Sequence, residues 1–144
     1  MIEKRIARRL IAVLTGLQLL DFIDRSILKS LLTPIGKAFD LNDGHLGDLN
    51  AAFLIGYMLA SPVFAYLGDR TTRKRLLIGG VFLWSAATVA AGFAQSYQQL
   101  MAARMLVAVG EASFGVVGPS IIADTLAGER RGRAISIFYS AIPV

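Results

Sequence analysis

Five ionisable residues stand well away from the ends of long apolar runs: Asp21, Asp24 and Arg25 in the first run, Arg104 and Glu111 in the fourth. A charge at the centre of a bilayer costs roughly 2.5–3.5 kcal/mol on insertion scales, so such residues are functional candidates by default. Asp21 and Arg25 are four residues apart, share a helix face and can pair. Arg104 and Glu111 are seven apart, nearly two turns, and also share a face. A carboxylate in a low-dielectric cavity can exchange protons near neutral pH. Asp24 and Glu111 are the candidates for that chemistry, Glu111 foremost because it is well separated from the nearest arginine along its helix. Arg25 and Arg104 would counter them, or hold an anionic headgroup. The plainer reading is a set of ion pairs joining two helices. Buried pairs are weak evidence for stability, since desolvation offsets much of the attraction. Several such groups in two spans are hard to justify on packing alone.

The elements that carry these residues read as membrane spans, which take about 17–25 mostly apolar residues. Four full spans are expected, at roughly 10–32, 46–67, 76–94 and 97–122, with a fifth opening at 134–144. The basic start through Lys4, Arg5, Arg8 and Arg9 followed by Leu10–Leu20 mimics a signal peptide. No small-x-small cleavage site follows, and Asp21, Asp24 and Arg25 continue the helix. Pro34 and Gly36 are expected to break it. Residues 33–45 then form an outer loop in which Asn42 caps the next helix, Asp43 suits its first turn and His45 is solvated. A rise of about 1.5 Å per residue puts Asp24 nearly level with Arg104, and Asp21 within about one turn of Glu111 in depth. If the first and fourth helices are adjacent, these charges form one polar patch facing an aqueous cavity. Gly56 with Ala60, and Gly110, Ala112, Ser113, Gly115 and Gly118, mark close packing faces. Gly79 and Gly80 lie inside an apolar helix, where packing explains them better than a phosphate cradle.

Composition agrees with a membrane protein. The chain is 55% hydrophobic with 17% charged residues, and its mean hydropathy is +0.59. The net charge of +5 does not point to nucleic acid, because most of the fifteen cations fall in three clusters between apolar spans. Those clusters are the amino terminus, residues 70–75 and residues 130–133, and the loops between them are nearly free of cations. Short loops rich in Lys and Arg stay inside, so the amino terminus and both basic loops are expected in the cytoplasm. Without cysteine there is no disulfide framework or thiolate metal site. No metal-ligand cluster, phosphate-binding loop or nucleophile–base set appears, so neither a cofactor nor enzymatic catalysis is expected.

The short cationic loop Ala65–Arg75 carries one acid, Asp69, beside Arg70, Arg73, Lys74 and Arg75. It resembles the cytoplasmic loop between helices 2 and 3 of the major facilitator superfamily, written Gly-x-x-x-Asp-Arg-x-Gly-Arg-Lys. Asp69, Arg70, Arg73 and Lys74 match, whereas Ala65 and Thr72 stand where glycines are usual. The segments Asp21–Arg25, Gly68–Arg70, Gly110–Phe114, Pro119–Asp124 and Phe138–Val144 resemble the spinster-type branch, in the order expected for helices 1 to 5. The resemblance implies an all-α, polytopic membrane helix bundle, part of the amino-terminal half of a twelve-helix transporter. It also implies lipid-like substrates such as lysophospholipids. It maps Asp24, Arg25 and Glu111 to cavity residues tied to proton coupling or substrate contact. Asp69, Arg70, Arg73 and Lys74 map to an inner gating loop.

These readings combine into a proton-coupled secondary transporter of an amphipathic organic solute. Asp21, Asp24, Arg25, Arg104 and Glu111 would line its substrate or proton pathway. Its partners would be membrane lipid, protons, the lipid-like substrate and a carboxy-terminal half beyond residue 144; its place would be the bacterial inner membrane. The alternatives are a non-transporting truncated membrane fragment, which the reading frame downstream of codon 144 would reveal, and a branch that carries drugs or sugars.

Overall fold

The computed structural model describes residues 2–142, and the side chains of residues 2–4 and 6 lie outside the described set. All regular secondary structure among the described residues is helical: α1 (Ile2–Ala38), α2 (Asp43–Arg70), α3 (Arg73–Gly92), α4 (Tyr97–Thr125) and α5 (Glu129–Tyr139). The chain divides into two compact units, residues 1–30 with 118–144, and residues 31–117. Among the described residues, three helices (α2, α3 and α4) are long and apolar enough to cross a membrane. The first expected span is not among them, because α1 carries Asp21, Asp24 and Arg25 in its middle. Residues 143 and 144, the end of the expected fifth span, lie outside the described residues.

The helix ends differ from expectation in instructive ways. Pro34 does not break α1, which runs on to Ala38. Proline forfeits its own N–H bond and crowds the carbonyl one turn back, and membrane helices tolerate that loss. The helix closes instead at a Schellman end. Leu41 N–H donates to Gly36 C=O at 2.8 Å, and Asp40 takes the left-handed position at φ 51°. The expected loop 33–45 therefore shrinks to residues 39–42. Asn42 caps α2, its side chain accepting from His45 N–H at 2.9 Å. His45 thus lies in the first turn of α2 rather than in a loop, and its ring meets Tyr97 edge-on at 5.2 Å.

Between α2 and α3 only Thr71 and Thr72 remain. Thr71 donates through both its N–H and its hydroxyl to Leu67 C=O, closing α2. Arg73, Lys74 and Arg75 form the first turn of α3 rather than a loop, although cations are unfavourable beside a helix amino terminus. α4 opens on a reciprocal cap: Gln99 N–H donates to Ser96 Oγ, and Gln95 N–H donates to Gln99 Oε1. α5 begins at Glu129 rather than Ala134, behind Gly128 at φ 59°, so Arg130, Arg131 and Arg133 are helical.

Within residues 31–117, α2, α3 and α4 meet through small residues. A Cβ on Gly56 would lie 3.2 Å from Ala108 Cβ, and one on Gly110 would lie 2.6 Å from both Trp84 Cβ and Trp84 N. Only glycine permits that approach of α3 to α4. Ser113, wholly buried, ties the same crossing by donating to Leu76 C=O at 2.9 Å. The expected packing role holds for Gly80, whose Cβ would meet Ser113, but not for Gly79, which faces open space. Phe53, Ala87, Val107 and Ala108 form the buried core here, with Tyr57 packed against them. Outward faces are apolar instead of polar: Leu54, Met58 and Leu59 on α2, and Phe82 and Val89 on α3, are exposed. Such a surface would drive aggregation in water and suits contact with lipid.

Candidate functional site

The ionisable residues of the apolar helices are drawn inward, opposite to the apolar side chains around them. Glu111 is completely buried, and Asp21 and Arg104 keep only 5% and 6% of their surface. Asp24 and Arg25 are half-buried. Helix periodicity explains the placement, since each polar residue occupies the face of its helix that turns from lipid.

In the unit formed by residues 1–30 and 118–144, Asp21 and Arg25 pair across one turn of α1. Arg25 Nε lies 3.3 Å from Asp21 Oδ2, and Nη2 donates to Oδ1 at 3.3 Å. Two parallel contacts of this kind fix the plane of the guanidinium as well as its charge. Asp24 lies on the same stretch of α1 and is also engaged by neighbouring groups. Next to it, Ser26 and Ser30 turn their hydroxyls back onto Phe22 C=O and Ser26 C=O.

In the unit of residues 31–117, α4 carries Arg104 and Glu111 on its enclosed side. Arg104 is set by an aromatic residue that the sequence did not single out. Its guanidinium carbon lies 4.7 Å from the centroid of the Phe53 ring on α2. Tyr57, one turn on, stacks on Phe53 at 6.2 Å, and its hydroxyl fills the space a side chain at Gly115 would need. Nothing separates Phe53 and Tyr57 from ordinary core aromatics in the sequence. Their i,i+4 spacing around Gly56 is the one pattern that brings them to a helix contact.

The cationic segment is organised by its single acid. Arg73 Nη2 lies 3.5 Å from Asp69 Oδ1 and Arg73 Nε donates to Gly68 C=O at 3.3 Å, so Arg73 bridges back over the two-residue turn. Arg70 lies over the Tyr66 ring at 4.2 Å. The Asp69 side chain is 79% exposed, and Lys74 is exposed as well. Asp69 is therefore open to a further partner on its solvent side.

Comparison with known proteins gives a consistent picture. The family model for the Major Facilitator Superfamily matches residues 14–144. Protein spinster homolog 1 of Bos taurus is 41% identical over 137 residues, covering 94% of this chain and 26% of the relative. Protein spinster of Drosophila melanogaster is 37% identical over 134 residues, covering 93% of this chain and 22% of its own. The Sphingosine-1-phosphate transporter SPNS2 of Danio rerio is 39% identical over 127 residues, covering 87% of this chain and 25% of that protein. The chain thus spans about a quarter of the length of these relatives. The crystal structure of a bacterial homolog to the human lysosomal transporter Spinster, inward-facing and unoccupied, superposes with a TM-score of 0.89. The two are 32% identical, with 94% of this chain and 29% of that one covered. The same homolog in its inward-facing, occupied conformation gives the same score. The apolar helices, the enclosed charges and these matches lead to one conclusion: the chain is an integral membrane, all-α helix bundle that belongs to the Major Facilitator Superfamily, within which it is similar to the spinster proteins.

Proposed function

We propose that this chain forms the amino-terminal part of a secondary transporter that moves an amphipathic, lipid-like solute by alternating access, coupled to protons. The observation that carries the reading is the burial of Glu111, Asp21 and Arg104 in helices whose outer faces are apolar. Ionisable groups kept out of lipid at such expense mark substrate and ion pathways. Asp24 and Glu111 serve as proton carriers, Arg25 and Arg104 balance them or attract an anionic headgroup, and Asp21 fixes the plane of Arg25. Asp69, Arg70, Arg73 and Lys74 form the inner gate, with Asp69 held by Arg73 and presented to a partner in the other half of the transporter. The amino terminus lies in the cytoplasm, and the membrane is the bacterial inner membrane. The Danio rerio relative, by its name, transports a sphingoid phosphate, which favours a lysolipid-like cargo over sugars.

The test is flux through the full-length protein in proteoliposomes. A pH gradient should drive saturable movement of a lysophospholipid above an empty-liposome control. Drug or sugar movement without lysolipid movement would overturn the cargo, and no flux of any of the three would overturn the transport reading.

A further inference from the structure

Arg104 is enclosed at 6% exposure in an apolar helix and lies against the face of an aromatic ring. We infer that Phe53 is a positioning residue for Arg104, the negative face of its ring holding the guanidinium at a set place inside the bundle. The guanidinium carbon sits 4.7 Å from the ring centroid, well inside the range of about 6 Å over which a cation is attracted to an aromatic quadrupole. The attraction strengthens where water is excluded, and both partners are buried, Phe53 at 7% exposure.

The ring is itself held from two sides. Tyr57 stacks against it with 30° between the planes, and the α2–α4 crossing at Gly56 and Ala108 brings the ring to the arginine. Phe53 also belongs to the core with Ala87, Val107 and Ala108, so it cannot swing away without opening that core. A ring does something a carboxylate cannot, because it attracts the guanidinium without cancelling its charge. The contact with Phe53 therefore positions Arg104 without itself neutralising the guanidinium. This inference deepens the role proposed for Arg104. Because its readout is the guanidinium itself, it can fail while transport stands, or stand while transport fails.

The experiment uses the full-length protein in lipid nanodiscs with 15N-labelled arginine, the Arg104 Nε–H resonance being assigned by its loss in Arg104→Lys. In the wild type that proton should be shifted upfield by the Phe53 ring and protected from solvent exchange. Replacing Phe53 with mono-, di- and trifluorophenylalanine drains the ring's negative face with little change of shape. Exchange of the Arg104 Nε–H should then quicken step by step, while helix content stays that of the wild type. Phe53→Trp should keep the shift and protection, and Phe53→Leu should abolish both. Exchange indifferent to fluorination, together with an Arg104 resonance lying among the exposed arginines, would overturn the inference. The fluorinated series decides the matter even if Phe53→Leu fails to fold.

Discussion

Gly79 and Gly80 are neighbours in sequence with opposite environments. A methyl on Gly80 would press on Ser113 Cβ at 2.5 Å and on Gly110 C=O at 2.9 Å, whereas one on Gly79 would meet nothing within 4 Å. Overpacking of a fitted contact costs typically about 1–3 kcal/mol. Alanine in place of glycine within a helix is worth roughly 0.5–1 kcal/mol when space allows. Gly80→Ala should therefore lower resistance to SDS unfolding, and Gly79→Ala should raise it or leave it unchanged. Equal loss in both would contradict the close approach of α3 to α4. The pair also marks what was legible. The charged residues of the apolar runs announce themselves in sequence because burial of charge is costly. Phe53 does not, since an aromatic residue in an apolar helix has the same signature whether it fills a core or holds an arginine. Which of two adjacent glycines faces a neighbour depends on helix rotation, and an apolar helix with no polar stripe does not record its rotation.

The helices themselves were legible from apolar runs and turn residues, but their ends were less so. Proline and glycine at 34 and 36 read as a break, yet α1 ends at Ala38, because hydrogen bonds from residues beyond Pro34 close the last turn. Asn42 was readable as a cap, since its side chain satisfies the otherwise free His45 N–H. Asn42→Ala should cost about 1 kcal/mol of α2 stability. Amide exchange should quicken at His45 and its neighbours while α3 stays unaffected; unchanged exchange at His45 would argue against the cap. The α2–α3 turn supports a different expectation. Its ion pair between Asp69 and Arg73 is largely exposed, and exposed pairs contribute only about 0–1 kcal/mol. Asp69→Asn should leave stability nearly unchanged yet shift the full-length transporter toward inward-open. Cysteine accessibility of the inner cavity measures that shift, and unchanged accessibility would count against a gating role.

For the whole molecule, the proposed orientation puts the amino terminus and both basic segments on the cytoplasmic side, because segments rich in Lys and Arg stay inside. Cysteines placed at Thr71 and Gly128, both in connections between helices, should be labelled only from that side. Labelling of either by an impermeant reagent outside intact cells would reverse the topology. The proposed function requires that ionisable groups enclosed among apolar helices work as a proton pathway. Glu111 is the sharpest case, being completely buried. Glutamine keeps the size and shape of glutamate but cannot take up or release a proton. The most direct measurement is therefore pH-gradient-driven lysolipid flux through the full-length protein in proteoliposomes, comparing wild type, Glu111→Gln and Gly79→Ala. Proton-driven flux should fall to the empty-liposome level in Glu111→Gln and persist in Gly79→Ala. Undiminished proton-driven flux in a folded Glu111→Gln protein would contradict the account.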